Sequence, residues 1–252
     1  MNDYLDFSGK VAVVTGGRRG LGRAMAVALA RHGARVAIVS KSDEANDVLE
    51  EISAFGGEAV YVQANLALRD ERTGLMEKIR NRFGRLDILI NNAGYLHCAP
   101  ALEYPLEQWD QDMSVLLDAV FELSQQAGRI MVEQGGGKII QIGSTAAFKE
   151  GASLIAYATA KSALVGLTRS LAGALARHGV NVNAIAPGIF NTDINKVLFS
   201  NPEALAARCK PIPSGRLGEV EDIIGPMLFL AGSMSEHVHG QTLIVDGGFT
   251  GS

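Results

Sequence analysis

Short apolar runs rich in β-branched residues recur along the chain, and each is followed by a longer stretch with helical spacing. Val11-Ala12-Val13-Val14 is the first run and ends at Thr15-Gly16. Apolar side chains at consecutive positions, rather than alternate ones, predict a strand covered on both faces of a parallel sheet. The same pattern predicts strands over 34–39, 58–63, 86–90, 138–142, 180–185 and 242–245. Between them, helices are expected over 23–32, 45–55, 69–83, 106–134, 153–177 and 219–231. Strands alternating with helices imply a doubly wound parallel sheet with helices on both faces. No linker, repeat or low-complexity tract interrupts the alternation, so residues 1–252 are expected to form a single domain.

In such sheets ligands bind beyond the carboxyl ends of the strands. Gly16, Ser40, Asn65 with Leu66, Asn92, Ser144 and Pro187-Gly188 all fall there. The first strand runs into Gly17-Arg18-Arg19-Gly20-Leu21-Gly22 and then an Ala-rich helix. Glycines let backbone approach a ligand closely, and a helix start offers free N–H groups to a pyrophosphate. Strand before and helix after is the context that a dinucleotide-binding turn requires. An acidic residue at the end of the second strand would bind the ribose 2′-hydroxyl. Here Ser40 and Lys41 stand in that place, with Arg18 and Arg19 in the turn, so NADP(H) is the expected cofactor. Asp43 and Glu44 follow closely; a shifted loop would let Asp43 reach the ribose, which keeps NAD(H) possible.

Tyr157-Ala158-Thr159-Ala160-Lys161 lies in a stretch rich in Ala and Leu and free of proline. Residues four apart share a helix face, so Tyr157 and Lys161 point the same way. An ammonium close to a phenol favours the phenolate, and the pair becomes a proton-transfer device for an alcohol or a carbonyl.

Composition narrows the classes. With 47% hydrophobic residues the chain can bury a large core, and it has no apolar run of membrane-spanning length. A net charge of −4 argues against a nucleic-acid binder. Cys98 and Cys209 make no disulfide framework, the His97-Cys98 neighbourhood lacks metal-ligand spacing, and no basic-then-apolar leader opens the chain, so a cytoplasmic protein is expected.

Thr15-Gly16-x-x-x-Gly20-x-Gly22, Asn91-Asn92-Ala93-Gly94, Ser144, Tyr157-x-x-x-Lys161, Asn183-x-x-x-Pro187-Gly188 and Asp246-Gly247-Gly248 together resemble the short-chain dehydrogenase/reductase family. The resemblance covers essentially the whole chain and implies a seven-stranded Rossmann-type fold and a homotetramer. It implies Tyr157 as the general acid or base, with Lys161 holding the nicotinamide ribose and lowering the tyrosine pKa. It further implies Ser144 on the substrate oxygen, Asn92 against the cofactor, and Phe190 and Thr192 near the nicotinamide. One position departs: Leu116 stands where many members carry an asparagine that supports a proton-relaying water. A leucine makes no such bond. Either the relay runs elsewhere, through Ser114, or turnover is slow.

Asn201-Pro202-Glu203 and the stretch from Pro211 to Gly218 look similar to the sugar-acid branch, which includes gluconate 5-dehydrogenases and 2-dehydro-3-deoxygluconate 5-dehydrogenases. By analogy residues 189–217 form the substrate lid. Lys149, His97, Arg208 and Lys210 are the candidate partners for a substrate carboxylate. A 3-oxoacyl carrier-protein reductase is the rival reading, with Arg129 and Arg169 supplying part of a basic patch. A weakly active dinucleotide-binding sensor or scaffold is the alternative of another class, and Leu116 favours it.

Overall fold

The computed structural model describes residues 4–149, 153–192 and 201–251. Seven parallel strands form one sheet in the order β3-β2-β1-β4-β5-β6-β7. They are β1 Val11–Thr15, β2 Arg35–Ser40, β3 Ala59–Gln63, β4 Ile88–Asn91, β5 Gly137–Ile142, β6 Val180–Pro187 and β7 Thr242–Val245. All seven expected strands are present, with ends displaced by one or two residues.

Every side chain of β1 is buried because the sheet is covered twice. Ala12 and Val14 join one core layer and Val11 and Val13 the other, as the alternation of side chains along a strand demands. The first layer is closed by α1 Gly20–Arg31, α2 Asn46–Ser53 and a late helix, Ile224–Ala231. The second is closed chiefly by α4 Leu75–Phe83 and α6 Ala119–Glu133, with Ala172 of α7 Ile155–Leu175 at its margin.

Two expected helices are not continuous. The first divides into α3 Arg69–Arg72 and α4, because Thr73 is extended and Gly74 takes φ +69°, a left-handed conformation that suits glycine. The second begins as α5 Leu106–Met113, widens into a π-helical turn over Ser114–Asp118, and resumes as α6. In that turn the Ser114 carbonyl accepts the Ala119 N–H and also Arg72 Nη1 at 2.7 Å. A guanidinium bonded to the carbonyl at the start of the widened turn accounts for its being held, and periodicity carries no sign of it.

Chain order reverses between β1 and β4, which lie side by side. A crevice opens at such a reversal, beyond the carboxyl ends of the strands.

Candidate active site

The crevice is built first by backbone. Thr15, at the end of β1, accepts the N–H groups of Asn92 and Ala93 on its Oγ1 at 2.9 and 3.0 Å. Asn92 Nδ2 donates to the carbonyls of Thr15 at 2.9 Å and Gly16 at 3.3 Å. The loop after β4 is thereby clamped to the glycine-rich turn. The packing leaves no room at Gly22: a Cβ there would stand 2.3 Å from the Gly16 carbonyl oxygen and 2.5 Å from Asn92 Nδ2. Helix α1 then starts at Gly20 with neither a side-chain cap nor an acidic residue in its first turn. Its free N–H groups and positive dipole end are therefore available to an anion, and the turn fits a pyrophosphate. Thr192 lies over Gly20, at 3.7 Å from a Cβ placed there.

At the end of β2, Tyr61 donates to the Ser40 carbonyl at 3.0 Å and to that of Ser42, and so fixes the loop. Asp43 accepts Gln63 Nε2 at 2.7 Å and is held against β3. Arg18, Arg19 and Lys41 enter no ion pair among the described residues. Among the described residues the glycine-rich turn and this loop thus offer cations outside any ion pair, beside a carboxylate already engaged. Asn65 caps its own turn by accepting the Ala67 N–H at 3.1 Å, and the buried Leu66 gives its carbonyl to Arg72.

The chemistry sits at the end of β5. Ser144 follows Gly143 in extended conformation and accepts the Ala146 N–H at 3.1 Å, capping a short turn, Thr145–Ala147. That fixes its hydroxyl toward α7, where the Tyr157 hydroxyl meets it in a hydrogen bond. Lys161, one turn further, is 5% exposed and donates to the carbonyl of Ile142, the last residue of β5, at 2.7 Å. Its Nζ lies 5.5 Å from the centre of the Tyr157 ring. Serine, tyrosine and lysine are brought together as the sequence anticipates.

The electrostatics differ from expectation. Burial raises the Tyr157 pKa above its ordinary value, and the Ser144 hydrogen bond only opposes that rise. Lys161 spends its described hydrogen bond on the Ile142 carbonyl rather than on the phenol. Burial pushes the lysine itself down to about 8. The pair is therefore two groups whose charged forms are both disfavoured by desolvation.

Ser114 is also corrected. Its hydroxyl donates to the Ala67 carbonyl at 2.9 Å and accepts Arg72 Nη1 at 3.1 Å, so it ties the loop after β3 to the π turn and is not a free relay. Leu116, in that same turn, is 1% exposed and packs toward Gly94. Phe190 is buried in the first core layer, its ring over Gly218, which makes it a wall of the crevice at most.

Among the carboxylate candidates, Lys149 donates to the Phe249 carbonyl at 3.1 Å and lies over the Phe249 ring. Arg208 and Lys210 are exposed, at the end of a short helix, Pro202–Cys209. His97 stands edge-on to Tyr104 in the loop after β4. That loop reaches the entry of α7 through Ala99 N–H to the Ser153 carbonyl at 3.3 Å. Arg129 and Arg169 are exposed on α6 and α7. Of the expected lid, residues 193–200 lie outside the described residues.

Sequence reasoning missed a polar cluster on α5. Asp112, 1% exposed, accepts the Tyr104 hydroxyl and Gln108 Nε2 at 2.8 Å, and the Tyr95 phenol lies beside it. Its one sequence signal is a carboxylate on the apolar side of an expected helix. A depression of about 540 Å³ at the opposite, amino end of the sheet is lined by Lys10, Arg85, Asp87 and Lys138 and contains none of the groups above.

A family model for short chain dehydrogenases matches residues 10–203. The chain is 39% identical to a 2-dehydro-3-deoxy-D-gluconate 5-dehydrogenase of Escherichia coli, over 96% of this chain and 95% of that one. It is 36% identical to a gluconate 5-dehydrogenase of Gluconobacter oxydans, over 98% and 97%. A solved gluconate 5-dehydrogenase from Burkholderia cenocepacia, in complex with NADP and tartrate, superposes with a TM-score of 0.94 at 34% identity, covering 99% of this chain and 98% of that one.

Proposed function

The chain belongs to the short-chain dehydrogenase/reductase family, and from that premise we propose that it interconverts a secondary alcohol and a ketone on a small sugar-acid substrate, with NADP(H) preferred over NAD(H). The observation that carries the chemistry is the hydrogen bond between Ser144 and Tyr157, with the Lys161 ammonium a turn below. When bound, the nicotinamide supplies or accepts the hydride. In reduction Tyr157 gives its proton to the ketone oxygen, and Ser144 donates a hydrogen bond to that same oxygen. In oxidation the phenolate takes the proton back. Lys161, already next to the Tyr157 ring, favours that phenolate once its ammonium turns from the Ile142 carbonyl.

The preference for NADP(H) rests on Arg18, Arg19 and Lys41, which enter no ion pair among the described residues, and on the engagement of Asp43 with Gln63. Gly16, Gly20, Leu21, Ser40, Asn65, Leu66, Asn92 and Thr192 would line the dinucleotide's path. The sugar-acid class rests on relatives named for gluconate and ketogluconate, and on the tartrate, itself a hydroxy acid, in the Burkholderia complex. His97 is the side chain whose loop position suits a substrate carboxylate. A cytoplasmic homotetramer completes the reading. Exposed Leu102, Leu106, Phe121, Leu243 and Ile244 provide apolar surface for self-association; among the described residues no helix is long and apolar enough to cross a membrane.

The test is to mix the protein with NADPH and a panel of keto-sugar acids and follow the absorbance of the reduced nicotinamide. Turnover with a 5-keto sugar acid is expected. Tight NADPH binding without turnover would refute it in favour of the sensor, the reading that buried Leu116 favours.

A further inference from the structure

A carboxylate buried without a cation is expensive, and apolar side chains of similar volume usually serve stability better. Asp112 is such a carboxylate: its partners among the described residues are the neutral hydroxyls of Tyr95 and Tyr104 and the Gln108 amide. The two phenols lie at the two ends of one loop. Tyr95 follows Gly94 directly, and Tyr104 precedes α5. Meeting at one carboxylate, with Tyr104 bonded to it and Tyr95 beside it, brings the two ends of the loop together. Burial, followed by the Asp112 carboxylate, raises the pKa of each phenol, so both remain protonated donors at neutral pH.

The loop is tied toward the reaction site at two points. The residues that lead into it, Asn92-Ala93, are bonded to Thr15 beside the glycine-rich turn. Its middle, Ala99, bonds Ser153 just before the helix that bears Tyr157. His97 within it packs edge-on against Tyr104, with ring centres 5.4 Å apart. The loop is therefore the wall between cofactor turn and catalytic helix, and Asp112 fixes both its ends.

We propose that Asp112 is a positioning residue for substrate: acting through Tyr95 and Tyr104, it holds loop 95–104 and the His97 side chain in the geometry that receives the sugar acid. The inference rests on the reading of the site as a sugar-acid oxidoreductase, but its structural half does not. In Asp112→Asn one oxygen acceptor becomes an amide donor facing donors, so one phenol loses its partner.

The chain has a single tryptophan, Trp109, edge-on to Tyr104 with ring centres 6.4 Å apart, and its emission reports the loop directly. Asp112→Asn is expected to raise acrylamide quenching of Trp109 and to speed hydrogen exchange of residues 95–104, with NADPH affinity within about twofold of wild type. With the accepted keto-sugar acid, KM is expected to rise about tenfold, the scale of one lost charge-assisted hydrogen bond, while kcat stays within about threefold. Tyr95→Phe and Tyr104→Phe give the same direction and serve if the Asn variant does not fold. Unchanged quenching and exchange overturn the proposal even if no sugar acid is turned over; unchanged KM, or a loss confined to kcat, overturns it where one is. Failure of the wild type to turn over any sugar acid, with the quenching and exchange changes present, sinks only the functional reading.

Discussion

Replacing Lys161 by methionine isolates the electrostatics of the site without any cofactor. The ammonium is 5% exposed, its one described hydrogen bond is to the Ile142 carbonyl at 2.7 Å, and burial brings its pKa from 10.5 to about 8. The folded chain thus holds this proton less tightly than the unfolded chain. Between pH 8 and 10.5 the unfolded state binds more protons, so stability attributable to this group rises with pH across that window; below pH 8 the penalty is present in full. Each unit of pKa is about 1.4 kcal/mol, which makes the whole penalty about 3 kcal/mol and the part relieved between pH 7 and pH 9.5 about 2 kcal/mol. Methionine has similar reach and no proton to lose. Urea unfolding of both proteins at pH 7 and pH 9.5 removes every titration the two share. Wild type is expected to gain about 2 kcal/mol on Lys161→Met over that interval. A difference between the two that stays flat with pH, or moves toward the variant, would refute the buried-ammonium account of the site.

Tyr157→Phe is expected to lower kcat by at least about a thousandfold while NADPH affinity, followed by cofactor fluorescence, stays within about threefold; retained turnover would remove Tyr157 from its role. Lys41→Asp puts a carboxylate where the 2′-phosphate is expected. It should weaken NADPH about tenfold or more and NADH far less, and equal losses would sink the assignment. Gly22→Ala drives a Cβ to 2.3 Å from the Gly16 carbonyl oxygen, so the turn must shift. A loss of about 1–3 kcal/mol in stability or cofactor binding is expected by calorimetry, and a neutral outcome would count against the clamp between Asn92 and the turn.

The parts of this protein that the sequence discloses are those with a period or a rigid spacing. The inner strands β1, β2 and β4 follow from apolar runs, since a strand covered on both faces has no polar side, whereas β6 buries Asn181 and Asn183 and the edge strands β3 and β7 are only partly covered. Ser144, Tyr157 and Lys161 meet because a four-residue interval on α7 faces the end of the strand before it, and the Lys161 bond to Ile142 fixes that facing. What the sequence hides is decided by contacts between segments far apart in it. Arg72 reads as one charge in a polar helix, yet it is buried, grips the Leu66 and Ser114 carbonyls, and pairs with Glu122, so that it joins the loop after β3 to the π turn.

The pKa order of the site is hidden for the same reason. A spacing of four places an ammonium near a phenol, but only the fold decides whether that ammonium faces the ring or a strand carbonyl. In this arrangement burial disfavours the charged form of both the tyrosine and the lysine, and the lysine spends its hydrogen bond on β5. With a pKa of about 8 the lysine still carries its proton for the most part at pH 7, so an ammonium turned from the Ile142 carbonyl toward Tyr157 would favour the phenolate near neutral pH. Leu116, apolar in the turn behind, offers the site no hydrogen bond.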